Sequence, residues 1–155
     1  MCKGDVGAFS RNNWGTIHLG KNLYMKKCQF CNIVQKKPLP FVIYEDDICL
    51  AFLDKNPIRN GHILLIPKKH HPYIFNLEDK IFFYLFAKAR ELSSYLEKAI
   101  GAKRIGLVVS GVSIPHTHIH LVPVYRQKDL NPNLSKPATT AELLLVQNLI
   151  SKVMK

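Results

Sequence analysis

The chain is short of acid. Its 155 residues carry 11 aspartates and glutamates against 22 lysines and arginines, a formal net charge of +11. A surplus of that size points to an anionic partner, whether nucleic acid, a membrane surface or a phosphate-bearing small molecule. No stretch approaches the roughly 18 apolar residues that a spanning helix needs, which argues against a membrane partner of that kind. Arginines are not interleaved with aromatics in a binding platform, and no DNA-reading motif is present, so nucleic acid is not expected. Four cysteines are too few for a disulfide scaffold and enough for a metal site; all four fit a reducing cytoplasm. Internal repeats and low-complexity tracts are also missing. What is present, 47% hydrophobic and 21% charged residues, describes about one domain with a buried core.

Residues 1–24 hold three glycines, scattered polar residues and no sustained period, and they lack the apolar centre of a signal peptide. They are expected to form an extension outside a domain covering 25–155. The alternative is that Trp14 and Ile17 pack on the body. Beyond Cys28 the pattern is α+β. Apolar runs at 41–44 and 48–53, separated by Glu45, Asp46 and Asp47, predict a hairpin, and 62–66 predicts another buried strand. Ile81, Leu85, Ala89, Leu92, Leu96 and Ala99 keep helical spacing, so a long amphipathic helix is predicted over 77–100, capped near Asn76 and stopped at Gly101. Strands are predicted at 105–110 and 116–124, an irregular segment at 126–138, and a final helix over 141–154. Thr139 and Glu142 form a capping-box pattern ahead of that helix.

Three of the seven histidines fall within the apolar segment His116-Thr-His118-Ile-His120-Leu-Val. In a strand, alternate side chains share a face. The three imidazoles would then form a row, with Thr117, Ile119 and Leu121 on the other side. Such a row is poor core material, because each neutral ring needs partners for two nitrogens. It suits either catalysis or metal binding.

This segment closely resembles the His-x-His-x-His-apolar-apolar signature of the histidine triad (HIT) superfamily of nucleotidyl hydrolases and transferases. Two further blocks agree in kind and order. Phe52-Leu-Asp54 through Gly61-His62, Ile66-Pro67-Lys-Lys-His70 is similar to the family's upstream segment, and Cys28-Gln-Phe30-Cys31-Asn-Ile33 is similar to the opening of bacterial Hint-like members. The resemblance covers about residues 26–154. It implies a HIT-like fold: an antiparallel sheet of about five strands, one long central helix and a C-terminal helix. It also implies a homodimer packed through the long helix and a central strand.

For chemistry, the resemblance implies attack by His118 on the α-phosphorus of a purine nucleotide conjugate. The conjugate would be a nucleoside phosphoramidate first and a dinucleoside polyphosphate next, and a covalent nucleotidyl-histidine would form with no metal required. His120 would hydrogen-bond the phosphate or help protonate the leaving group, with His62 supporting the row. Asp54 would accept bonds from ribose, and Phe30, Ile33, Phe52 and Leu64 would enclose the base. Without the family, those four are ordinary core and Asp54 is a turn residue. Ser113 stands where relatives place a phosphate-contacting hydroxyl, or is a loop serine. Cys28 and Cys31 would be half of a structural zinc site, which the resemblance implies is completed by His70 and His116, with His71 an alternative to His70. The rival readings are a redox pair or two buried thiols. The loop before the triad departs from the family, with Val112 in place of Gln, which bears on phosphate positioning. The competing function is a non-catalytic nucleotide- or partner-binding protein that retains the fold.

Overall fold

The computed structural model describes residues 28–36, 41–111 and 113–155; the expected extension at 1–24 and Val112 lie outside them. Helix α1 is Gln29–Gln35. The strands are β1 (Val42–Glu45), β2 (Cys49–Leu53), β3 (Ile63–Pro67), β4 (Arg104–Val109) and β5 (Ile119–Val124). Helix α2 is Asp79–Ile100, between β3 and β4, and helix α3 is Thr140–Val153 at the end. The strands form one antiparallel sheet in the order β1-β2-β3-β5-β4. This is the expected α+β arrangement.

Both faces of the central strands are covered, which explains why β2 and β3 are buried throughout. Cys49, Ala51 and Leu53, with Ile63, Leu65, Ile119 and Leu121, face the apolar stripe of α2 (Leu85, Ala89, Leu92, Leu96) and Leu143, Val146 and Ile150 of α3. The alternate residues Leu50, Phe52, Leu64 and Ile66 form a second cluster with Cys28, Phe30 and Cys31 of the α1 segment. Register then carries one row across the sheet, with Phe52 opposite Leu64 and Leu64 opposite His120. His120 therefore emerges on the α1 side, beside the second cluster.

Three sequence expectations shift. Strand β5 begins at Ile119, so His116 and His118 precede it rather than lying in it. Thr117 N–H bonds the His71 carbonyl instead of a sheet partner, at 2.5 Å, and that contact takes the segment out of the ladder. Helix α2 starts at Asp79 with Glu78 at the cap and no side-chain capping bond; Asn76 ends a short 3-10 turn, Ile74–Asn76, instead. Cys28 stands at the N-cap, and Cys31 within, a helix that periodicity alone did not predict. The expected capping box of α3 is present, with Thr139 N–H donating to Glu142 Oε2 at 2.7 Å and Glu142 N–H to Thr139 Oγ1 at 3.3 Å. Gly101 takes the left-handed conformation (φ 64°) that ends α2.

Candidate functional site

The segment 116–120 feeds two clusters. In the first, Cys28, Cys31, His70 and His116 bring one ligand atom each to within 4.8 Å of one another. Cys28 Sγ is 3.4 Å and Cys31 Sγ 3.6 Å from His116 Nδ1, and Cys31 Sγ is 3.3 Å from His70 Nδ1. Tetrahedral zinc, about 2.3 Å from sulfur and about 2.0 Å from nitrogen, separates such ligands by roughly 3.5 Å. The donor set therefore fits that ion. His116 Nε2–H donates to the Pro67 carbonyl at 2.9 Å, which leaves the Nδ1 lone pair aimed at the sulfurs. Burial holds His116 neutral, its pKa pushed down to about 4, and lowers His70 as well. Burial, with Cys28 alongside, raises the Cys31 thiol to about 11, so a cation is what would favour its thiolate. His71 is not in this group; it lines a separate cavity of about 220 Å³ with Asp47, Lys69 and Glu78.

The second cluster comprises His62, His118, His120 and Asp54. His118 is buried, and its Nδ1–H donates to the His116 carbonyl at 2.6 Å, so its lone pair sits on Nε2. The His118 and His120 rings lie 5.0 Å apart. His62 Nε2 is 2.9 Å from His120 Nδ1. Burial, then the neighbouring His62 and His118, pushes His120 down to about 4, and burial lowers His62 against the opposing pull of Asp54. Both rings are therefore neutral near pH 7. Asp54 Oδ1 accepts from Asn56 N–H at 2.8 Å, and Oδ2 lies 3.6 Å from His62 Nδ1.

Phe30 joins the clusters. Lying between the two cysteines on α1, it meets the rings of His118, His116 and Phe52 edge-on at 5.1, 5.7 and 6.1 Å. Phe52 and Leu64 pack in the same cluster, with half-buried Ile33 against it. The structure thus brings together every predicted site residue except Ser113. That serine is exposed and makes no hydrogen bond to the histidines among the described residues.

Sequence reasoning missed the supporting backbone and one ion pair. The amide of Ile58 donates to His62 Nδ1 at 3.2 Å. Asp129, fully buried, receives Arg59, Tyr125 N–H (2.9 Å) and Arg126 N–H (2.8 Å). Burial raises the Asp129 carboxyl, but these donors outweigh it and hold the pKa at about 2. A lone Asp in an irregular stretch offers no periodic signal; only the pairing reveals it.

The fold is similar to that of a hypothetical histidine triad nucleotide-binding protein from Sulfolobus tokodaii (TM-score 0.72, 28% identity, covering 82% of this chain and 91% of that one). It is similar in fold also to a zinc-bound histidine triad family protein from Mycobacterium smegmatis (TM-score 0.67, 23% identity, covering 84% and 97%). In sequence, an adenylylsulfatase of Arabidopsis thaliana is 37% identical over 101 residues, 62% of this chain and about half (51%) of that relative's length. The HIT domain model matches residues 36–127, and the chain belongs to that family. Among the described residues no helix is long and apolar enough to cross a membrane.

Proposed function

We propose that this protein transfers or hydrolyses nucleotidyl groups, acting on the α-phosphate of a purine nucleotide conjugate through a covalent nucleotidyl-histidine on His118. The observation that carries the reading is the hydrogen bond from His118 Nδ1–H to the His116 carbonyl, because it leaves the Nε2 lone pair free to attack. In the first step Nε2 forms a bond to phosphorus, and the leaving group departs with the electron pair of the bond that breaks. The Nδ1 proton stays on the ring. Water then attacks phosphorus, the N–P pair returns to Nε2, the water's proton passes to solvent, and the nucleoside monophosphate leaves. Splitting one displacement into two lowers each barrier. His120, beside His118, addresses the phosphate or the leaving group. Asp54 takes the ribose hydroxyls, Phe30, Ile33, Phe52 and Leu64 the base, and Ser113 the phosphate.

Nucleoside phosphoramidates and dinucleoside polyphosphates are the first substrates to test. The Arabidopsis relative adds adenylyl sulfate, an anhydride whose leaving group needs no proton. Cys28, Cys31, His70 and His116 would hold a structural zinc; its charge would keep the thiolates and fasten α1 to the triad segment. The β4 edge, where Leu107 and Val109 are exposed, offers a surface to a second copy, although β4 is an edge strand within the chain and the expected homodimer packs through the long helix and a central strand. The test is turnover of adenosine 5′-phosphoramidate and adenylyl sulfate by the parent and by His118→Ala. Equal rates remove His118 as nucleophile; no turnover of any such conjugate by the parent favours a binding protein.

A further inference from the structure

The hydrogen bonds around His62 fix more than its place. A neutral imidazole has one N–H and one lone pair, so each partner it finds determines what the other nitrogen does. The Ile58 amide can only donate, and it points at His62 Nδ1 from 3.2 Å, which requires the lone pair there. Asp54 Oδ2 would favour the opposite tautomer, but at 3.6 Å it is beyond hydrogen-bond reach and its other oxygen is engaged by Asn56 N–H. The His62 proton therefore lies on Nε2 and is donated to His120 Nδ1 at 2.9 Å. With Nδ1 accepting, neutral His120 carries its own proton on Nε2, the nitrogen without a partner among the described residues.

The amide that starts this chain sits on a loop anchored three ways. Arg59, the next residue, pairs with buried Asp129. Its carbonyl accepts from His62 N–H at 3.0 Å. Gly61, at φ +89°, lies so close under α2 that a Cβ there would stand 2.8 Å from Ile100 Cδ1.

We propose that the Ile58 amide, held by the Arg59–Asp129 pair, sets the proton arrangement of His62 and His120, so that His120 acts as an Nε2–H hydrogen-bond donor to the phosphoryl oxygens and not as the proton donor to the leaving group. This rests on the site reading given above. Ile58, Arg59, Asp129 and His62 are positioning residues; of this chain of contacts His120 alone touches substrate. A neutral imidazole that gave up its only N–H would become an imidazolate, so donation without transfer is the role this tautomer permits. The leaving group's proton, where one is needed, comes from solvent. Sulfate and phosphate leaving groups need none.

The test begins with long-range ¹⁵N–¹H imidazole spectra of the full chain at pH 7, assigned by single His→Gln replacements. His62 and His120 are expected neutral and protonated at Nε2; a His62 population carrying Nδ1–H overturns the proposal. Replacing the Ile58 N–H by an ester oxygen, through the corresponding α-hydroxy acid, removes the donor and leaves the side chain. It is expected to move His62 toward Nδ1–H and to lower kcat about tenfold with KM within about twofold, the signature of lost transition-state contact. An unchanged tautomer overturns the amide's role. Asp129→Asn should shift the tautomer in the same direction, whereas a merely structural pair would lower stability and leave the tautomer alone; should this variant fail to fold, Arg59→Lys, which keeps the charge, provides the same comparison. His120→Gln keeps an N–H donor and should stay within about tenfold of the parent kcat, while His120→Ala loses about a hundredfold. Equal losses overturn the donor role. The spectra need no turnover: expected tautomers in an inactive parent uphold the proton arrangement and overturn the site reading, together with the donor role that rests on it.

Discussion

His116 and His118 are two residues apart, and their imidazoles are wired in opposite senses. His116 gives its Nε2–H to the Pro67 carbonyl and turns Nδ1 toward two sulfurs; His118 gives its Nδ1–H to the His116 carbonyl and keeps Nε2. One residue type thus presents Nδ1 to a pair of sulfurs in one place and a free Nε2 in the other. The difference lies in which backbone oxygen each ring reaches, not in the side chain. The comparison extends to surroundings: the first cluster is closed by buried cysteines, while the second borders half-buried His120 and Asp54.

The sharpest way to break this contrast is to remove each histidine in turn. His118→Ala should cost about a thousandfold or more in turnover with metal content unchanged, measured by assay and elemental analysis on the same sample. His116→Ala should do the reverse first, losing metal and then stability; if His116→Ala keeps a full equivalent of zinc, the two roles are not separate. Cys31→Ser follows, with bound zinc falling below about half an equivalent per chain and the chelator-induced drop in Tm expected of the parent abolished.

Smaller effects test the frame. Gly61→Ala forces a Cβ to 2.8 Å from Ile100 Cδ1 at a positive φ, so denaturant unfolding should show a loss of about 1–3 kcal/mol. The pH dependence of stability separates His120 further. Its folded pKa of about 4 lies below the ordinary 6.5, so its contribution is complete above about pH 6.5 and is lost as the pH falls toward 4. His120→Gln should flatten that part of the stability curve, and an unaltered slope would show that the ring is not buried neutral. Smallest of all is His71→Ala, which should leave zinc content untouched while His70→Ala removes it; a loss at His71 would reverse the ligand assignment.

Much of this was legible in the chain before folding. The stripe from Ile81 to Ala99 and the Thr139–Glu142 box placed the two long helices to within a few residues, because both depend on local period and capping. The grouping of Cys28, Cys31, His70 and His116 was legible only through the family resemblance, and the choice between His70 and His71 needed the fold. The strand expected from His116 failed because periodicity registers apolar alternation and not the Thr117–His71 contact that diverts the backbone. Ile58 and Asp129 were invisible for a similar reason: a backbone N–H has no letter, and a lone Asp acquires meaning only when Arg59 arrives from 70 positions away.

With a metal bound, the cysteine–histidine cluster would also time the assembly of the chain. Cys28 and His116 are 88 positions apart, and the four donor residues come from the α1 segment, the turn after β3 and the approach to β5. Closing so long a loop has a large entropic cost that no local element offsets. A cation can find all four donors only after the sheet has formed around them. Metal uptake followed in real time would therefore act as a clock for the last stage of folding.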